Sequence, residues 1–123
     1  MRLHYGLVAV TVGLLGLALA LAACGGGGGG GGGNTVTLSE YKFEPAAVTV
    51  KANQPVTINL RNTGTLVHDW VVQGMPQSVQ GEAQPGRSSS VTFTPTQPGT
   101  FRVICAQPGH EASGMVGQLI VEI

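Results

Sequence analysis

Four side chains in the second half of the sequence have types and a spacing that could hold a transition metal. Cys105, His110 and Met115 stand five positions apart within the segment CAQPGHEASGM. The proline and glycines of this segment predict a tight loop, so the three side chains can converge at one end of the fold. His68 is the only other histidine after residue 23.

These four residues offer two imidazoles, one thiolate and one thioether. That set is typical of a blue-copper electron-transfer site, with a trigonal arrangement of the first three ligands and a long, weak axial thioether. Imidazole suits Cu(II) and soft sulfur suits Cu(I), so the geometry of such a site changes little when an electron moves. We therefore predict one type 1 copper ion bound by His68, Cys105, His110 and Met115.

Each ligand has a plainer alternative when it is taken alone. Cys105 and Met115 are also typical of buried core residues, and His110 beside Glu111 is typical of a solvated loop. Cys105 has no disulfide partner if Cys24 is used elsewhere. Its thiol is then a metal ligand, a reactive group or an inert buried side chain.

Residues 1–23 resemble a secretory signal peptide, with one arginine near the start, an apolar middle and small residues before Cys24. Leu-Ala-Ala-Cys resembles the bacterial lipobox, which implies that Cys24 is a lipid anchor. The alternative is an uncleaved membrane helix. Both place the folded domain outside the cytoplasm, on the periplasmic or cell-surface face of a bacterial membrane.

Residues 24–33 consist of the anchor cysteine and nine glycines. A glycine run of this length is a flexible tether with a root-mean-square reach of roughly 15 to 18 Å. It either lets the domain search for membrane partners or serves only as a spacer.

Residues 34–123 are enough for one compact domain. Without Arg2 the chain has five Lys and Arg against six Asp and Glu, a net charge of −1. This composition excludes a basic nucleic-acid-binding surface, and the length excludes a multi-domain enzyme.

Apolar residues alternate with polar ones in short runs, as in Val56-Thr-Ile-Asn-Leu60, and turn residues separate the runs. Seven such runs predict an all-β, two-sheet Greek-key β-sandwich. Residues 74–87 contain two prolines and three glycines. They are expected to form a long connection without a regular element.

The segments GTFRVICAQPGHEASGMVG and VHDWVV resemble the two ligand motifs of the cupredoxins, the plastocyanin and azurin family, and the C-x4-H-x4-M spacing is similar to that of the auracyanins. The resemblance covers residues 34–123. It departs at Asp69, where the family usually has asparagine. We expect Asp69 to keep the backbone N–H that points at the cysteine sulfur and to replace the amide of asparagine with a hydrogen-bond acceptor beside the ligands, where hydrogen bonds tune the reduction potential.

The resemblance implies a one-electron carrier between redox proteins of a respiratory or photosynthetic chain. Together with the expected anchor at Cys24, it predicts a membrane-tethered monomer that docks transiently onto a cytochrome or a membrane complex. His110 would be the electron port. An apolar docking patch would surround it, formed by Leu66, Met75, Pro76, Pro108 and Ala112. The alternatives are a copper chaperone or storage module and a metal-free structural sandwich. An enzyme is not expected, because copper enzymes of this kind need additional histidines.

Overall fold

The computed structural model describes residues 34–123, which form nine β-strands. In chain order they are β1 Asn34–Ser39, β2 Lys42–Glu44, β3 Ala47–Lys51, β4 Val56–Asn62, β5 His68–Val72, β6 Val79–Ala83, β7 Ser88–Phe93, β8 Gly99–Ile104 and β9 Val116–Glu122. The predicted signal peptide, Cys24 and the glycine tether lie outside the described residues. Within residues 34–123 the chain has no helix that is long and apolar enough to cross a membrane.

The strands form two sheets, in the orders β2-β1-β4-β7 and β3-β9-β8-β5-β6. Strands β1 and β4 are parallel, as are β3 and β9, and the other neighbours are antiparallel. The predicted all-β, two-sheet sandwich is therefore confirmed.

The core lies between the two sheets because successive side chains of a strand point to opposite faces. In β3, Val48 and Val50 are buried while their neighbours are exposed. Burial of each such aliphatic side chain stabilises the fold by about 1.5–3 kcal/mol. Fully buried residues from both sheets meet here, namely Val36, Leu38, Ile58, Leu60, Val103 and Leu119.

Residues 74–87 do contain a regular element, so the prediction of a structureless connection was wrong. Strand β6 pairs with β5 over its whole length. Gly81 does not break it, because a Cβ atom at this position would clash with Val91 and Leu60 of the facing sheet. The glycine permits close packing of the sheets within the strand. The three-residue β2 was also not predicted.

The register of the β5–β6 hairpin fixes which residues share an end of the sandwich. His68 pairs with Ala83, and Val72 pairs with Val79. The turn at residues 73–78 therefore lies at the end opposite His68, about 13 Å away along β5. The loop between β8 and β9 lies at the His68 end.

Candidate metal centre

His68 is the first residue of β5, and its side chain is completely buried. The loop before it is fixed by the buried Asn62, whose Nδ2 donates to the carbonyl oxygens of Leu66 and Ala83, both at 2.8 Å. The Oδ1 of Asn62 accepts from the N–H of Gly64 at 2.9 Å. Asn62 thus holds the loop and the end of β6 in place, a role that the sequence did not reveal.

The other three predicted ligands lie on the loop that joins β8 to β9. Cys105 directly follows β8, and Met115 directly precedes β9. The N–H of Cys105 donates to the Met115 carbonyl at 3.2 Å, and the N–H of Met115 donates to the His110 carbonyl at 3.0 Å. Gly109 and Gly114 have φ angles of 80° and 97°, which glycine adopts without steric cost. The two backbone hydrogen bonds and the two glycine conformations close the loop into a compact turn.

Three ligand atoms from these two pieces of chain converge. Nδ1 of His68 lies 3.2 Å from Nδ1 of His110, and Sγ of Cys105 lies 3.9 Å and 3.4 Å from these two nitrogens. Donors placed about 2.0–2.3 Å from one ion in a trigonal plane would be roughly 3.5–4 Å apart. The observed spacing fits a single metal ion.

All of these side chains are shielded from solvent. Cys105 and Met115 are fully buried, and His110 is 8% exposed. The backbone hydrogen bonds of Met115 to Cys105 and His110 place this residue next to both of those ligands. The mixture of nitrogen and soft sulfur donors is the one that copper prefers.

Burial raises the pKa of the Cys105 thiol, and the backbone N–H groups of Asp69 and Gln107 oppose that shift. Burial is the largest of these effects, and it disfavours the charged form of the sulfur. A metal ion would stabilise the deprotonated sulfur instead. This favours a ligand over a reactive group.

Asp69 provides the backbone donor that the resemblance implied, with its nitrogen 3.4 Å from Sγ of Cys105. Its carboxylate accepts from the N–H of Ala106 and from Nε2 of Gln107, the latter at 3.1 Å. The carboxylate therefore accepts two hydrogen bonds from the segment after the cysteine. These bonds connect the strand that carries His68 to the loop that carries Cys105.

Two further residues touch the histidines and were not predicted. Oε1 of Glu40 lies 3.1 Å from Nε2 of His68. The ring of Tyr41 packs edge-on against the ring of His110, with centroids 5.0 Å apart. Both residues belong to the turn between β1 and β2, which carries no motif, so their contacts depend on tertiary structure alone.

The structure divides the predicted docking patch between two ends of the molecule. Leu66 is 42% exposed in the loop before His68, and Pro108 and Ala112 are exposed on the ligand loop. Met75 and Pro76 lie in the β5–β6 turn at the opposite end, so their assignment to the patch was wrong. The physical reason is the hairpin register, which carries these residues away from His68.

A family model described as the cupredoxin-like domain matches residues 13–121. The chain belongs to the cupredoxin-like family. The predicted resemblance is confirmed, and the ligand set of this cupredoxin, His68, Cys105, His110 and Met115, fits a single type 1 copper ion.

Individual relatives agree with this family. The cupredoxin is 28% identical over 99 residues to the copper-resistant cuproprotein CopI of Rubrivivax gelatinosus, an alignment that covers 65% of this chain and 59% of CopI. The chain thus spans less than two thirds of that relative.

Among solved structures, an auracyanin from the photosynthetic bacterium Roseiflexus castenholzii matches with a TM-score of 0.65 and 23% identity, covering 72% of this chain and 95% of the auracyanin. Auracyanin B matches with a TM-score of 0.65 and 26% identity, covering 72% and 87% of the two chains. The fold is therefore that of the auracyanins.

Proposed function

We propose that this cupredoxin is a one-electron carrier between redox proteins outside the cytoplasm. The observation that carries the proposal is the convergence of His68, Cys105 and His110, whose ligand atoms lie within 4.8 Å of one another. Bound copper supplies the Cu(II)/Cu(I) couple that such a carrier needs.

The surrounding chain supports this function by restricting movement of the ligands. His68 lies in a paired strand, and backbone hydrogen bonds join Cys105, His110 and Met115. Asp69 bridges the two pieces of chain. A site held in this way is expected to keep one geometry in both oxidation states.

The proposed electron port is His110 together with the residues that cover it. The imidazole is only 8% exposed, and the ring of Tyr41 packs against it while remaining 41% exposed itself. Leu66, Pro108 and Ala112 are the remaining members of the docking patch. Because the net charge is near zero, docking would depend on this apolar surface more than on long-range attraction.

Tethering to a membrane through Cys24 remains a prediction from the sequence. With the glycine run, it would keep the domain near membrane-bound partners such as a cytochrome or a respiratory or photosynthetic complex. We expect the protein to act as a monomer. We also expect it to have no catalytic activity, since both histidines of residues 34–123 belong to one site and none is left for a second copper ion.

A second candidate function is copper binding for resistance, as a chaperone or storage protein. The relative named as a copper-resistant cuproprotein supports it. However, a chaperone is expected to offer exposed methionine or histidine ligands for copper transfer. Here Met115 and both histidines are buried, and Met75 lies at the far end of the sandwich.

The two functions are separated by mixing the reduced, copper-loaded protein with oxidised cytochrome c and, separately, with a Cu(I) chelator. A carrier should reduce the cytochrome within milliseconds and keep its copper in the chelator for hours. Rapid loss of copper to the chelator with slow reduction of the cytochrome would contradict the carrier function.

A further inference from the structure

Glu40 is the residue outside the ligand set that makes the most specific contact with it. One carboxylate oxygen, Oε1, accepts from the N–H groups of Thr65 and Leu66, both at 2.8 Å. The same oxygen lies 3.1 Å from Nε2 of His68. The carboxylate thus meets the ring nitrogen that is opposite the ligating one.

The loop before His68 is shaped to receive this carboxylate. A Cβ atom at Gly64 would occupy the place of the Glu40 carboxylate group. The hydrogen bond from the Gly64 N–H to Asn62 holds the glycine in that position. Glycine and two aligned N–H groups therefore form a fitted cradle for one negative charge.

We propose that Glu40 is a positioning residue that orients the copper ligand His68 and biases the site toward Cu(II). The proposal rests on the copper site and does not depend on the electron-carrier function.

The orientation follows from hydrogen-bond chemistry. A carboxylate oxygen that accepts hydrogen bonds needs a donor on the other side, so this contact selects the His68 tautomer with the proton on Nε2. The same oxygen, Oε1, already accepts from the N–H groups of Thr65 and Leu66, so it meets Nε2 as an acceptor. Nδ1 then presents its lone pair toward Sγ of Cys105 and Nδ1 of His110, which lie 3.9 Å and 3.2 Å away.

The bias follows from charge. A carboxylate behind a ligating imidazole makes the ring more basic and adds negative charge near the ion. This stabilises the doubly charged metal ion more than the singly charged one. A neutral acceptor in the same place would orient the ring without this preference.

Glu40→Gln separates the orientation of His68 from the preference for Cu(II), because glutamine keeps an acceptor and removes the charge. Glu122→Gln is the matched control: it makes the same chemical change at the far end of β9, where Glu122 pairs with Lys51 at the surface. We expect Glu40→Gln to weaken Cu(II) binding relative to Cu(I) binding by about tenfold, a rise in reduction potential of about 59 mV. The control should match the wild type.

A second measurement tests the contact in the unaltered protein. In the diamagnetic Cu(I) form, the Nε2–H resonance of His68 should be observable by NMR and protected from exchange with solvent. Glu40→Ala should remove that protection. A resonance that exchanges freely in the wild type, or equal potentials in Glu40→Gln and Glu122→Gln, would overturn the proposal.

These results remain distinct from failure of the site itself. If the copper-loaded wild type lacked a sulfur-to-copper absorption band, the copper centre would be wrong. If that band were present and the potential of Glu40→Gln were unshifted, only the assignment to Glu40 would fail.

Discussion

The backbone nitrogen of Asp69 lies 3.4 Å from the sulfur of Cys105, a residue 36 positions later in the chain. The carboxylate of Asp69 accepts two hydrogen bonds from the residues that follow this cysteine. One residue of β5 therefore contacts both the ligand and its supporting loop, which links the two pieces of chain that form the site.

Asp69→Ala should weaken that link. Loss of the two accepted hydrogen bonds at this partly exposed position is expected to cost about 1–2 kcal/mol. The expected result is a thermal midpoint about 4–15 °C lower, measured by circular dichroism on the metal-free protein. Asp69→Asn keeps one acceptor oxygen, so its thermal midpoint should lie between those of the wild type and Asp69→Ala. An unchanged midpoint in Asp69→Ala would contradict the proposed tie.

Asn62→Ala should destabilise the protein more strongly. The side chain is buried, and its removal leaves the carbonyl oxygens of Leu66 and Ala83 without their side-chain donor. We expect a loss of about 2–3 kcal/mol in the free energy of unfolding, measured by urea denaturation with an unchanged slope. Asn59→Ala, at an exposed position of the same strand, is the control. Equal effects of both changes would refute the anchoring role.

Gly81→Ala tests the close approach of β6 to the facing sheet. The added methyl group would meet Val91 and Leu60, and overpacking of this kind costs about 1–3 kcal/mol. Val91→Ala makes room for the methyl group, so the double variant should recover part of the loss. If Gly81→Ala alone were as stable as the wild type, the packing argument would fail.

Leu66→Lys tests the docking surface. A charge on the exposed side chain in the loop before His68 should slow electron exchange with cytochrome c by roughly tenfold, the effect of losing about 1.4 kcal/mol of interface energy, while the reduction potential stays the same. Ser78→Lys introduces the same charge in the turn at the opposite end and should have no effect. The proposed surface would be wrong if both variants slowed exchange equally.

Much of the site could be predicted from the sequence because the ligands are rare residue types with a fixed spacing. Cys105, His110 and Met115 lie on one short loop, so local turn chemistry suffices to bring them together. The sandwich could be predicted because alternation, as at Val48 and Val50, reports directly on burial in a strand.

The errors have a common origin in contacts between distant parts of the chain. In the sequence alone Gly81 indicates a break in a strand, because its packing against the facing residue Val91 is not visible there. Once β6 was missed, Met75 and Pro76 could be assigned to the wrong end. Glu40 reaches His68 across 28 positions, a contact for which the sequence carries no local signal.

The most direct test of the central claim is the visible spectrum of the copper-loaded, oxidised protein beside that of Cys105→Ser. If His68, Cys105, His110 and Met115 enclose a type 1 copper ion, the wild type will show an intense blue or green sulfur-to-copper band and Cys105→Ser will lack it. A wild type that binds copper without this band, or a band that survives in Cys105→Ser, would contradict the account.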